Sequence, residues 1–200
     1  KTLLLLRPGD PFLLHLQAWS YLVRGEPDSA MRSATRAIQT LPSFAKAHEI
    51  RARSRIRVRD FGGALEDVNR AIRLRPGLVS AYLTRAEIRA SQSGTRTGVI
   101  DRDLLRARER EPENPEVWFR RGELIAARRV HNPSEKNENI LLLRNSLACY
   151  EEAIRVDPGH ADAHAMRATR RIQVGLVPTL EELSGVIGTF PECGLAWYWR

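Results

Sequence analysis

Apolar residues recur along this chain with helical spacing, in paired segments of about 12 to 15 residues. Turn signals separate the two members of a pair, as in Gly25-Glu26-Pro27 and in Asp60-Phe61-Gly62-Gly63. Six prolines, which cannot continue a helix, close the pairs at intervals of 34, 34, 36, 46 and 33 residues. They are Pro8, Pro42, Pro76, Pro112, Pro158 and Pro191. A period in this range is typical of stacked repeats, so the pattern predicts antiparallel helix pairs in one array.

The repeat units share positions of defined size. A large or ring-bearing residue is followed four residues later by a small one, and an alanine and the proline come in the second half. The large residues are Leu14, His48, Tyr82, Trp118 and His164. The small ones are Ala18, Ala52, Ala86, Gly122 and Ala168, and the alanines are Ala37, Ala71, Ala107 and Ala153. We expect the small residues to lie where the two helices of a pair approach closely.

This combination of positions resembles the tetratricopeptide repeat (TPR) family over nearly the whole chain. The resemblance implies an all-α, right-handed superhelical solenoid of antiparallel helix pairs, with about five repeats and a partial repeat at each end. We place the units at residues 1–8 (partial), 11–42, 45–76, 79–112, 115–158, 161–191 and 194–200 (partial). Because both partial units match only part of a repeat, we expect the array to be a fragment of a longer protein.

The fourth unit is twelve residues longer than the 34-residue period, and the additional residues lie around 128–144. They form either a loop or an extension of the second helix by as much as about three turns. We favour the longer helix, because Ile140 to Leu143 are apolar and need burial. Asn132 or Ser134 can cap its start.

Positive charge is concentrated in arginine. The chain has a formal net charge of +8, with 29 arginines and 3 lysines. Arginine recurs at two repeat positions, which hold Arg51, Arg85, Arg121 and Arg167, and then Arg55, Arg89 and Arg171. These side chains are half-buried and paired with neighbouring acids, or they form a row that grips phosphate. We favour the paired arrangement, and a GC-rich genome alone can produce the arginine bias.

The sequence shows no catalytic or cofactor-binding motif. It has no glycine-rich phosphate loop after a predicted strand and no nucleophile elbow. His160 and His164 are four residues apart, but His160 falls in a loop and His164 takes the large-residue position, so capping and packing roles are favoured over a metal site. We therefore predict a protein that is not an enzyme and that binds no cofactor or metal.

Targeting and redox signals are equally sparse. No run approaches the roughly 18 apolar residues that cross a bilayer, and Leu3 to Leu6 is too short for the core of a signal peptide. Cys149 and Cys193 form no metal or redox spacing, and two reduced thiols fit the cytoplasm. We expect a cytoplasmic protein without a membrane partner.

In TPR arrays the first helix of each pair lines a concave groove that holds the partner, and the resemblance implies the same here. Carried over by repeat position, the candidate groove residues are Phe12, His15, Leu16, Trp19, Lys46, Ile50, Arg53, Arg57, Leu83, Glu87, Phe119, Arg120 and Glu123. The same faces also hold Val23, Glu49, Ser80, Thr84, Glu116, Asp162, Ala165, Met166 and Thr169. This set has four positive and five negative charges, so the excess positive charge must lie on second helices, loops and edges.

The polarity and charge of the predicted groove differ between its two ends. An apolar cluster adjoins Arg53 and Arg57 at one end, whereas the other end is acidic. A ligand with an apolar anchor and an acidic flank fits the first half best, since Trp and Arg often dominate binding energy. Alternatively, Phe12 and Trp19 pack against an upstream helix. The Lys and Asn clamp that holds chaperone tails in some TPR proteins is absent, because its positions hold His15, Trp19, Ile50, Ser80 and Thr84.

Three functions are compatible with these observations. We favour a non-enzymatic scaffold module that binds a protein or peptide and is part of a larger protein. The alternative is a regulatory or substrate-recruiting region of a multidomain enzyme. RNA binding through an arginine-rich face is disfavoured, because that face lacks the interleaved aromatic residues on which single-stranded bases stack.

Overall fold

A computed structural model describes residues 9–92, 97–127 and 136–175, with only the backbone at 97–101 and 136–138. These residues fold into helices and contain no strand, so the predicted all-α class is confirmed. The helices are α1 (Pro11–Val23), α2 (Pro27–Thr40), α3 (Ala45–Arg57), α4 (Phe61–Leu74), α5 (Val79–Ser91), α6 (Thr97–Arg110), α7 (Pro115–Ala126), α8 (Lys136–Val156) and α9 (Ala161–Gln173).

The chain divides into two compact units between Arg110 and Glu111. In the first unit, α1 packs on α2, α3 on α4 and α5 on α6, and the pairs join through α2 with α3 and α4 with α5. The first helices also touch one another, α1 with α3 and α3 with α5. In the second unit, α7 packs on α8 and α8 on α9.

The proposed repeat boundaries remain a prediction. Both partial units and the second half of the fifth unit, including Pro191, lie outside the described residues.

The small residue of each first helix in the first unit is buried, as expected. Ala18, Ala52 and Ala86 have no exposed surface. Ala18 belongs to a core cluster in which α1, α2 and α3 meet, and Ala52 belongs to a second cluster that extends to α5. Side chains of this size let neighbouring helix backbones approach closely, and close packing there removes apolar surface from water.

In four repeats, the large residue of the first helix forms a hydrogen bond that closes the loop before that helix. The polar ring atom lies 3.2, 3.0, 2.8 and 3.0 Å from the carbonyl oxygen of the proline six residues upstream, for His48, Tyr82, Trp118 and His164. This contact explains why the position favours rings that carry an N–H or O–H group. In the second unit the neighbouring His160 caps α9, since its Nδ1 accepts from Ala163 N at 3.2 Å. The packing and capping roles favoured for the two histidines are confirmed.

We expect Tyr82→Phe to lower the free energy of unfolding by about 0.5–1 kcal/mol, the net worth of one hydrogen bond. The carbonyl of Pro76 keeps a second donor, because Arg110 Nε lies 2.8 Å away. Urea unfolding followed by circular dichroism measures the loss. Tyr21→Phe is the matched control and should cost less than half as much, so equal losses would contradict the role given to the Tyr82 hydroxyl.

The fourth repeat, which contains the additional residues, has a long second helix. α8 contains 21 residues, whereas α2, α4 and α6 contain 14 each. The expectation that its apolar start is buried is wrong for Ile140 and Leu141, which are 40% and 57% exposed. The core of this unit forms around Tyr150, which lies about 15 Å further along the helix. The proposed caps, Asn132 and Ser134, lie outside the described residues.

Candidate functional site

The helices α1, α3 and α5 lie side by side in the first unit and present what we call the first-helix face. Four large apolar side chains of α1 stand exposed along it, with Phe12 at 60%, Leu16 at 58%, Trp19 at 44% and Val23 at 71%. Their spacing of three or four residues places them on one stripe of the helix. The sequence predicts this apolar stripe, and it is solvent-exposed among the described residues.

The start of the apolar stripe packs against Phe44, which precedes α3. The ring centroids of Phe12 and Phe44 are 4.9 Å apart, and His15 meets the same ring edge-on at 5.4 Å. Burial, with a smaller contribution from Lys46, lowers the pKa of His15, so its imidazole is neutral at pH 7. Its Nδ1 is buried and has no hydrogen-bond partner among the described residues.

A polar centre lies next to the apolar stripe and consists of Trp19, Arg53, Glu49 and Thr84. The guanidinium carbon of Arg53 sits 5.0 Å from the centroid of the Trp19 ring, within the range of a cation–π interaction. Its Nη1 is 3.7 Å from Glu49 Oε1, and the Thr84 hydroxyl donates to the same oxygen at 3.3 Å. The polar centre therefore links α1, α3 and α5.

Glu49 is almost completely enclosed, with 5% of its surface exposed. Burial raises the pKa of its carboxyl group, and the charge of Glu87 acts in the same direction. Arg53, the Thr84 hydroxyl and Lys46 oppose the shift without cancelling it. Glu49 therefore takes up a proton at a higher pH than an ordinary glutamate does.

The other predicted residues of the first unit fall into two groups. Lys46 and Arg57 are exposed, and Leu83 and Glu87 are half-buried on α5. Ile50, in contrast, has no exposed surface and packs in the core cluster between α1 and α2, so its assignment to the groove surface is corrected.

Two of the candidate residues on α7, Phe119 and Glu123, contact the interior of the second unit, whereas Arg120 pairs with Glu116 at the surface. Phe119 is 9% exposed, and its ring lies 5.9 Å from that of Tyr150 and 5.1 Å from that of His160, so it is a core residue rather than a groove residue. Arg120 Nε donates to Glu116 at 2.6 Å. Glu123 accepts a 2.6 Å hydrogen bond from the Tyr150 hydroxyl, and the pKa of Tyr150 is raised by burial first and by Glu123 second.

The recurrent arginines of the first unit are paired with buried acids, as favoured from the sequence. Arg51 makes two hydrogen bonds to the Asp67 carboxylate, at 2.7 and 2.6 Å, and Arg55 Nη1 lies 3.0 Å from it. The third repeat reproduces the arrangement, because Arg85 and Arg89 both bind Asp103. A phosphate-gripping role is wrong for these four side chains.

The sequence pattern did not single out Asp67 and Asp103, although each follows its arginine by a similar interval of 16 or 18 residues. The other repeats fill the same positions differently. In the first repeat the Ser33 hydroxyl donates to Gln17 at 3.3 Å. In the fourth the position holds Cys149, whose pKa is raised by burial.

Much of the exposed positive charge of the first unit lies on its second helices, in line with the expectation that the excess is on second helices, loops and edges. The exposed arginines of these helices are Arg32, Arg36, Arg70, Arg73, Arg102, Arg106 and Arg110. Arg36, Arg70 and Arg106 occupy one repeat position on α2, α4 and α6, each directly before the recurrent alanine of the unit. None of these three forms an ion pair with an acid in the ranges that the structure describes.

Residues 15–92, which include α3, α5 and the apolar stripe from Leu16 onward, match the sequence model of the tetratricopeptide repeat. This segment carries tetratricopeptide repeats. Repeats of this family commonly mediate protein or peptide binding, and the TPR fold is typically a non-enzymatic binding scaffold.

Solved TPR structures share this fold along most of the chain. TTC0263, a thermophilic TPR protein of Thermus thermophilus, is 15% identical with a TM-score of 0.75, over 94% of this chain and 96% of its own. YrrB, described as a TPR protein with an unusual peptide-binding site, is 19% identical with a TM-score of 0.55, over 95% and 91%. The fold is thus an all-α, TPR-like solenoid.

Sequence relatives match only part of the chain. Sperm-associated antigen 1 of Rattus norvegicus is 35% identical over 91 residues, and that of Mus musculus is 34% identical over 90 residues. Each match covers 45% of this chain and 10% of the relative's own length. Within the described residues, no helix is both long and apolar enough to span a bilayer.

Proposed function

We propose that the first-helix face of the first unit binds an extended protein segment that carries an apolar side chain next to acidic residues. The chain then acts as a non-enzymatic, peptide-binding TPR module of a larger protein. The observation that carries this proposal is the apolar stripe of α1, exposed directly beside the guanidinium group of Arg53.

The apolar stripe supports the choice of an apolar anchor. Large apolar side chains that stand together on a surface are a mark of interaction sites, since each exposed one forgoes the stabilisation that burial gives. Trp19 is well suited to act as an anchor, because its ring is already fixed by Arg53 and tryptophan recurs at sites that dominate binding energy.

The charges around the apolar stripe support an acidic flank. Lys46 and Arg57 are exposed and Arg53 is partly so, whereas the nearest acid, Glu49, is enclosed. A carboxylate of the ligand would therefore meet positive charge first, which favours encounter and register. The peptide-binding site named for YrrB, a protein of the same fold, is compatible with this proposal.

Two substitutions test the face. We expect Trp19→Ala to weaken binding by about tenfold or more, because it removes the anchor, and Arg53→Glu to weaken it by at least as much. The probe is a set of labelled peptides of about ten residues in which one leucine precedes two glutamates. Fluorescence anisotropy at moderate salt measures the dissociation constants.

Leu105→Ala is the matched control, since Leu105 is 43% exposed on α6, outside the first-helix face. It should leave the affinity unchanged. If no peptide of the set binds, or if Trp19→Ala and Arg53→Glu bind every peptide as the wild type does, the proposal is overturned.

A second function is supported by the arginine column of Arg36, Arg70 and Arg106. Guanidinium groups spaced along one face can contact a phosphate backbone. The face carries few aromatic side chains for base stacking, which makes RNA the weaker alternative. Micromolar affinity for single-stranded RNA at physiological salt, with a steep salt dependence, would favour it. The groove would equally serve a substrate-recruiting region of a larger enzyme, which the flanking sequence distinguishes.

A further inference from the structure

The polar centre contains a carboxylate that shares its cation with the proposed ligand. Glu49 lies beneath Arg53 and is held by the Thr84 hydroxyl. Its distance of 3.7 Å from Arg53 Nη1 exceeds that of a hydrogen bond, so the two groups attract one another without a shared proton.

Arg53 is placed to receive a second carboxylate. Its side chain is 31% exposed, and one face of the guanidinium is set against the Trp19 ring. A guanidinium has five N–H donors in a planar fork, so a ligand carboxylate can bind from the solvent side while the cation–π contact persists.

We propose that Glu49 determines the specificity of the first-helix face by competing with the ligand carboxylate for the charge of Arg53. The inference rests on the proposed function and adds the residue that adjusts the affinity of the first-helix face for an acidic ligand. An ionised Glu49 weakens the hold of Arg53 on an acidic ligand, because its negative charge repels the ligand's own. A neutral Glu49 leaves the full charge of Arg53 to the ligand.

The groups that face Glu49 decide the direction of the pH dependence. Lys46 and Arg53 face it from α3, and Thr84 and Glu87 face it from α5. His15, which is on α1, lies near Lys46. Because the carboxyl of Glu49 is protonated at a higher pH than that of an exposed ligand glutamate, acidification neutralises Glu49 first. The affinity for an acidic ligand therefore rises as the pH falls through the titration of Glu49, above the range in which the ligand's own glutamates take up protons.

Glu49→Gln tests the inference. We expect this nearly isosteric variant to bind the leucine–glutamate peptide about fivefold more tightly at a pH above the titration of Glu49, the size of one like-charge repulsion near a protein surface. Its affinity should change less with pH than that of the wild type. The same peptide with glutamines in place of glutamates should bind both proteins equally.

Two controls separate this role from other effects. Glu66→Gln removes an exposed charge from α4, outside the first-helix face, and should change the affinity less than about twofold. His15 also gains a proton in acid, so the effect is assigned from the difference between wild type and Glu49→Gln rather than from the wild-type profile alone.

The outcomes are distinct. If Trp19→Ala abolishes binding but Glu49→Gln leaves it unchanged or weaker, the inference is overturned and the proposed function stands. A ligand-free NMR titration provides a second readout, in which the Arg53 Nε–H resonance should move in step with the Glu49 carboxyl. An Arg53 signal that ignores that titration would overturn the inference even if no peptide binds.

Discussion

Replacing Asp67 with alanine should lower the free energy of unfolding by about 3 kcal/mol. The carboxylate is 5% exposed at its side chain and accepts contacts from Arg51, Arg55 and His48. Its removal takes the buried carboxylate away from both guanidinium groups, so that Arg51 keeps only Thr35, and Arg55 keeps the Gly63 carbonyl and the exposed Asp60. Both arginines keep some access to water, at 18% and 24% exposure, which places the loss at the lower end of the range for broken buried pairs.

Urea unfolding of Asp67→Ala checks the loss, with Glu66→Ala as a control at the exposed neighbouring position. The control should stay within about 0.5 kcal/mol of the wild type. Asp103→Ala should behave like Asp67→Ala, because it anchors Arg85 and Arg89 in the same way. Equal stabilities of the Asp67 and Glu66 variants would show that the pairing contributes nothing net.

The same carboxylate predicts an acid response. Burial alone would raise the pKa of Asp67, but hydrogen bonds from His48 and Arg51 and the charges of Arg51 and Arg55 outweigh it and lower the pKa. A lowered pKa means that this stabilisation is present above the ordinary aspartate range, about pH 4, and is lost as the pH falls below it. Asp67→Ala should lack that part of the acid sensitivity.

Gly122→Ala should destabilise the second unit by about 2 kcal/mol through overpacking. A Cβ atom at this position would lie 2.7 Å from Cε1 of Tyr150 and 3.0 Å from its Cδ1 and Cζ. The ring has little room to move, because Tyr150 is fully buried and packs with Phe119. Gly77→Ala is the control, since nothing lies within 4 Å of its Cβ position.

A double-mutant cycle sharpens this prediction. The third repeat has Ala86 and Leu104 at the positions of Gly122 and Tyr150. Gly122→Ala combined with Tyr150→Leu should therefore cost less than the sum of the two single changes. Thermal or urea unfolding of the four proteins gives the coupling, and additive losses would mean that the contact between the new methyl group and the Tyr150 ring is not the cause.

Local pattern was sufficient to predict much of the fold. The helix pairs follow from apolar periodicity and from the prolines, and the buried alanines follow from their recurrence, because each signal lies within one repeat. The start of α8 was misjudged for the same reason. Whether Ile140 and Leu141 find cover depends on the length of the neighbouring helix, which their own residues do not encode.

The site was predictable to the level of a helix face. The apolar stripe follows from the spacing on α1, since helical positions three and four residues apart share a side. Ile50 and Phe119 lie near the border of such a face, where contacts from other helices decide exposure. Asp67 and Asp103 escaped notice because their partners are on another helix, and a carboxylate on a helix is ordinarily a solvated one.

The bond between the ring and the proline carbonyl has an evolutionary consequence. Both of its ends lie within six residues, so duplication of any 34-residue segment carries the loop closure along intact. The contacts from Arg51 to Thr35 and from Arg85 to Asn69 cross the same repeat boundaries, but each joins side chains 16 residues apart on two different helices. A newly duplicated repeat would therefore keep its loop hydrogen bond, whereas its side-chain contacts with the neighbouring repeat would not yet be optimised. Substitutions after duplication should accumulate first at those contacts.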